Sequence, residues 1–124
     1  MNAKNIVIAL VVIIILLFGW YYYNDATTPG QYDEFAQCTA DNGAKFFGAF
    51  WCPNCANQKK LFGKSERLLN YVECSTADGQ GQLPICSDAG IEAYPTWEFS
   101  DGSRLTGTLP FETLAEKTKC ELPL

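Results

Sequence analysis

Between Ile6 and Tyr23 the chain carries no charged side chain, and from Ile6 to Phe18 every residue is aliphatic or aromatic. A segment with no polar face cannot sit on the surface of a small domain. As a helix, these residues rise about 27 Å, close to the hydrocarbon thickness of a bilayer. Trp20, Tyr21, Tyr22 and Tyr23 follow where interfacial aromatics lie. Two readings compete, an uncleaved anchor and a cleaved secretory signal. A signal has a shorter apolar region and an A-x-A-like site, and Asn24-Asp25-Ala26-Thr27-Thr28 offers none. Residues 1–23 therefore read as a transmembrane anchor, 24–31 as a linker containing Thr, Pro and Gly, and 32–124 as a single domain.

Lys4 precedes the apolar run. Asp25, Asp33 and Glu34 follow it, and the next basic residue is Lys45. That asymmetry predicts a single-pass protein of the cell membrane with a cytoplasmic N-terminus. The domain would face the periplasm or an equivalent extracytoplasmic or luminal space. The chain has 9 Lys and Arg against 14 Asp and Glu, which argues against nucleic acid as a partner. With no His, imidazole catalysis and His ligation are excluded. All six Cys fall within the domain, a density that points to an oxidising compartment.

Within the domain a helix is expected over 32–39, a turn at Asp41-Asn42-Gly43 and a buried strand over 44–50. A helix should start at Cys52 with Pro53 in its first turn and stop near Gly63. Residues 67–70 read as a helix fragment or loop, 71–75 as a strand, and 76–82 as a polar, Gly-rich loop. A short helix over 84–89 and a strand over 96–99 follow. Asp101-Gly102 signals a hairpin with a return strand over 104–108. A final helix over 110–119 carries Phe111, Leu114 and Ala115 on one face. An early parallel pair joined by a helix and followed by a hairpin describes an α/β domain. It would have a mixed sheet of about four strands with helices on both faces.

The run Phe47-Gly48-Ala49-Phe50-Trp51-Cys52-Pro53-Asn54-Cys55 places two thiols three positions apart where a strand enters a helix. Such a pair opens and closes a disulfide with little backbone movement. Cys52, at the helix N-terminus, would meet free N–H groups and the positive end of the helix dipole. It is the expected nucleophile, with Cys55, one turn in and more buried, resolving the mixed disulfide. Pro53 and Asn54 tune that balance. Zinc would need a second close Cys or His pair, and the other Cys, at 38, 74, 86 and 120, form none. A purely structural bridge would sit in a strained loop. No metal is expected, and no cofactor beyond the Cys52–Cys55 disulfide itself.

Tyr94-Pro95-Thr96 lies about forty residues on. A cis Tyr94–Pro95 bond would turn the Tyr94 backbone groups outward to pair with an extended substrate segment. A trans proline at a strand edge would not. Trp51 and Tyr94 flank the turn, as a docking surface or as packing.

From Tyr32 to Leu122 the sequence resembles the thioredoxin superfamily. Residues 46–55 look like that family's strand and active-site turn, and Glu92-Ala93-Tyr94-Pro95-Thr96 with Asp101-Gly102 looks like its cis-proline loop and hairpin. More narrowly, F-F-G-A-F-W-C-P-N-C, then N-Q-K-K-L-F-G-K, Y-V-E-C-S, Y-P-T-W-E-F and D-G-S-R-L are similar to one relative in particular. That relative is the thioredoxin-like domain accompanying bacterial vitamin K epoxide reductase homologues. The resemblance implies a thioredoxin-like fold behind one transmembrane helix. It implies a role in oxidising secreted protein thiols and passing the electrons to a quinone-reducing membrane enzyme. Cys52 would be the nucleophile, Cys55 the resolver and Pro95 the cis-proline, with Tyr94 and Thr96 beside it binding substrate. With one span here, the vitamin K epoxide reductase-like partner would be another chain.

Two positions depart from the pattern. Phe46 stands where thioredoxins and disulfide isomerases usually have a buried acid, and Asn54 stands where many oxidising relatives have His. Once Cys52 and Cys55 pair, four Cys leave three connectivities. The fold implied by the resemblance favours Cys38–Cys120 and Cys74–Cys86. Two further functional readings stay open: a disulfide reductase fed by a transmembrane electron carrier, and a redox-inert module that binds thiol clients.

Overall fold

The computed structural model describes residues 2–123. A long helix α1 (Ala3–Thr27) is followed by a domain with elements in the order α2 (Asp33–Asp41), β1 (Lys45–Gly48), α3 (Pro53–Phe62), β2 (Tyr71–Glu73), α4 (Pro84–Ser87), β3 (Thr96–Glu98), β4 (Arg104–Thr106) and α5 (Phe111–Thr118). A 3-10 segment, Gly63–Leu68, continues directly from α3, where the sequence suggested a fragment or loop over 67–70. α1 is exposed throughout, and it is long and apolar enough to cross a membrane. It runs on to Thr27, through half of the segment read as a linker, because nothing in Asn24-Asp25-Ala26-Thr27 breaks a helix.

The four strands form one sheet in the order β2-β1-β3-β4. β1 and β2 are parallel, with Phe46 opposite Tyr71 and Gly48 opposite Glu73. β3 is antiparallel to β1, with Phe46 opposite Trp97, and β4 is antiparallel to β3. This is the mixed α/β architecture expected from the sequence. The strands are shorter than expected at their C-terminal ends. β1 stops at Gly48 because the chain turns there, with the Cys52 N–H bonded to the Ala49 carbonyl at 3.0 Å. β2 stops at Glu73, leaving Ser75 in an isolated bridge with Gln82.

The alternation of β1 divides the core in two. Phe46 joins the larger cluster, with Phe35, Cys55, Phe62, Trp97 and Leu114. Phe47 faces the other side, with Cys74, Cys86 and Ile91. α2, α3 and α5 meet on the larger face through Phe35, Phe62 and Phe111, whose rings lie 4.8–5.9 Å apart. The opposite face carries the four-residue α4. Cys38 is bonded to Cys120, tying α2 to the end of α5, and Cys74 is bonded to Cys86, tying the end of β2 to α4.

Near the end of α1, the Lys64 ammonium contacts the Asp25 carbonyl and carboxylate, each at 2.7 Å. Arg67 makes a bidentate pair with Asp33, both contacts at 2.7 Å. Lys64 lies just past the C-terminal end of α3 and Cys52 at its start, so the Cys pair stands a helix length, roughly 15 Å, from this contact with the end of α1.

Candidate functional site

The turn from β1 into α3 sets up the Cys pair. Cys52 is the N-cap of α3, with Pro53 in the first turn where a missing N–H costs nothing. The Cys52 sulfur accepts the Cys55 backbone N–H at 3.2 Å, as a capping oxygen would. Neither sulfur is bonded to another. Cys52 is 6% exposed and Cys55 1%, so the first thiol is the one nearer solvent. Burial, and then the neighbouring Cys52, push the Cys55 thiol up to about 12. A thiol raised that far stays protonated at neutral pH. Pro53 and Asn54 are exposed beside the pair.

The 94–96 segment meets this turn from the side. The Tyr94–Pro95 bond is cis. The rings of Trp51 and Tyr94 meet edge to face at 5.9 Å. Trp51 donates from Nε1 to Ser75 Oγ at 2.8 Å, and Gln82 donates to the Tyr94 hydroxyl at 2.7 Å. The Pro95 carbonyl accepts from Gly107 N–H at 2.9 Å, while Thr108, the next residue, donates to the Asn54 carbonyl at 3.1 Å. Thr96 is buried, with its hydroxyl bonded to the Ala93 carbonyl at 2.7 Å. The residues named from the sequence for the turn, 51–55, and for the 94–96 segment therefore gather at one end of the sheet, around the start of α3. Trp51 and Phe50 are half exposed or more there, and Tyr94 is partly buried.

Behind the turn, Gln58 is fully buried one turn beyond Cys55. Its amide accepts from Leu109 N–H at 2.7 Å and from Trp97 Nε1 at 3.2 Å, and donates to the Leu109 carbonyl at 3.1 Å. This network ties α3 to β3 and to the chain after β4. Phe46 is also fully buried, its ring stacked on Trp97 at 4.8 Å.

Two residues that the sequence reading gave no role complete the site. Glu73 accepts from Phe50 N–H at 3.2 Å and from Ser75 N–H at 2.9 Å on one oxygen, and from the Tyr71 hydroxyl at 2.7 Å on the other. Gly48 makes room for Tyr71 and Cys55: a Cβ there would lie 3.0 Å from the Cys55 sulfur and 3.3 Å from the Tyr71 oxygen. The available signal was strand parity, since 71 and 73 share a face of β2 and pair with 46 and 48.

No family model matches the chain. It is similar to the thiol-disulfide oxidoreductase LTO1 of Arabidopsis thaliana, at 45% identity over 80 residues. That match takes in 61% of this chain but 21% of the plant protein, so the chain corresponds to about a fifth of that relative's length.

Proposed function

We propose that the protein is a membrane-anchored, thioredoxin-like thiol–disulfide oxidoreductase that works outside the cytoplasm. One observation carries this reading. Cys52 caps α3 with its sulfur in the field of the helix N-terminus, and a buried, protonated Cys55 sits one turn behind it. A disulfide between them would be opened at Cys52, the less buried of the two sulfurs, with Cys55 as the leaving thiol. The oxidoreductase named among its relatives supports the same chemistry.

In the direction we favour, a client thiolate attacks Cys52, a mixed disulfide forms, and a second client thiol releases the oxidised client. The reduced pair is then reoxidised by a quinone-linked, vitamin K epoxide reductase-like membrane protein. The cis Tyr94–Pro95 segment would pair with extended clients, and the exposed Phe50 and Trp51 would receive their apolar side chains. α1 would hold the domain at the membrane, with the N-terminus cytoplasmic.

Replacing Cys55 by Ser in the full chain should trap mixed disulfides through Cys52, visible as reducible adducts on gels. Absence of adducts would overturn the enzyme reading. The reduction potential of the pair then sets the direction. A value of about −120 to −180 mV fits an oxidant, and about −270 mV fits a reductant.

A further inference from the structure

Resting on the redox reading above, a second question concerns the proton on Cys55. A buried thiol that must leave as thiolate and return as thiol needs a route for its proton. On the α3 face of the sheet, Cys52 and Lys59 act on Cys55, and Tyr71 stands between Cys55 and Glu73. Lys59 lies one turn further along α3, with its ammonium 3.8 Å from the centre of the Tyr71 ring. The Tyr71 hydroxyl and the Cys55 sulfur border the same space beside Gly48, 3.3 and 3.0 Å from where a Cβ there would sit, with no hydrogen bond between them, and the Tyr71 hydroxyl donates to Glu73 at 2.7 Å. Two backbone N–H groups, of Phe50 and Ser75, hold the other Glu73 oxygen in place.

We propose that Glu73, acting through the Tyr71 hydroxyl, is the proton acceptor and donor for Cys55. In the resolving direction, Cys52 is joined to a partner sulfur. The Cys55 proton crosses the space beside Gly48 to the Tyr71 oxygen, the two groups closing on each other as the mixed disulfide forms, while the Tyr71 proton passes to Glu73. The freed electron pair on Cys55 forms the bond to the Cys52 sulfur. The bond from Cys52 to the partner breaks, and the partner sulfur leaves with its electron pair and is protonated by water. Cys52 and Cys55 are thereby oxidised by two electrons and the partner disulfide is reduced. In the opposite direction Glu73 returns the proton through Tyr71 to the departing Cys55 thiolate.

Two features support a concerted relay over ionisation of Tyr71. Burial, and then the Glu73 carboxylate, hold the Tyr71 hydroxyl well above the usual phenol range, so a free phenolate is disfavoured. The Lys59 charge over the ring offsets part of the negative charge in the cluster.

The test is a stopped-flow reaction of the reduced full-length chain, in detergent, with a dinitrobenzoate disulfide reagent between pH 5 and 10. The first chromophore reports attack by Cys52, and the second reports resolution by Cys55. The expected result for Glu73→Gln and for Tyr71→Phe is a fall of about tenfold or more in the second rate relative to the first at pH 7. The rising limb of the second rate should also move to higher pH. Tyr71→Phe leaves both backbone contacts of Glu73 intact, so it separates proton transfer from support of the turn. A second-rate pH profile unchanged in both variants would overturn the proposal while leaving the redox reading standing. A wild-type chain that releases only the first chromophore would overturn both.

Discussion

Two regions of the domain, the start of α3 and the junction of α2 with the chain after α5, treat the same element in opposite ways. At the start of α3, two sulfurs three positions apart are unbonded, with one held by a backbone N–H and the other buried across from the Tyr71 hydroxyl. Elsewhere in the domain, Cys38 and Cys120 are bonded across 82 residues, joining α2 to the chain just after α5. The Asn42 amide lies against both of those sulfurs and donates to the Thr118 carbonyl at 2.7 Å. Sulfur chemistry is set by surroundings. Donors and titratable neighbours suit a bond to exchange, whereas a long closed loop between packed helices suits a bond that holds.

The comparison predicts unequal costs. Replacing Cys38 and Cys120 together by Ala should lower stability by about 4.5 kcal/mol in the chain-entropy model, read from urea unfolding of the full chain in detergent. A loss under about 1 kcal/mol would mean that this bridge does not lock the domain. Next in size, Gln58→Ala strands the buried Trp97 and Leu109 donors and should cost about 2–4 kcal/mol, again by urea unfolding. An unchanged midpoint would detach α3 from the network that steadies the reactive end.

The smallest effect is a pH dependence. In the reduced chain Cys55 is raised in the folded state to about 12, from an ordinary thiol value of about 8.5. Its contribution to stability is therefore fully present below the ordinary value and is lost as pH rises toward the folded one. Between pH 8 and 10 the urea midpoint of the reduced wild type should fall further than that of reduced Cys55→Ser. Equal falls would show that the Cys55 surroundings do not hold its proton.

Much of this was legible along the chain. The position of α3 followed from Trp51-Cys52-Pro53 after an apolar strand, because Pro is suited to the first turn and the residue before it to a cap. The hairpin followed from Asp101-Gly102. Strand ends were not legible: Ala49 and Phe50 are as apolar as the strand before them, and only the turn at Ala49 and the grip of Glu73 on Phe50 end it. Glu73 itself read as an ordinary polar residue of a strand. A carboxylate acquires a role from what lies across the sheet, and the spacing between 48, 55, 71 and 73 fixes no distance in space.

The sequence by itself determined the apolar N-terminal helix, the mixed α/β order of elements and the two thiols at a helix start, because each is written in local composition and periodicity. Only the tertiary structure decided that the thiols, the 94–96 segment and the Tyr71–Glu73 pair share one end of the sheet. Parallel pairing of β1 with β2 brings 48 beside 73, and antiparallel pairing of β1 with β3 brings Phe47 beside Thr96. Such contacts join residues tens of positions apart, and they exist once a common core is buried.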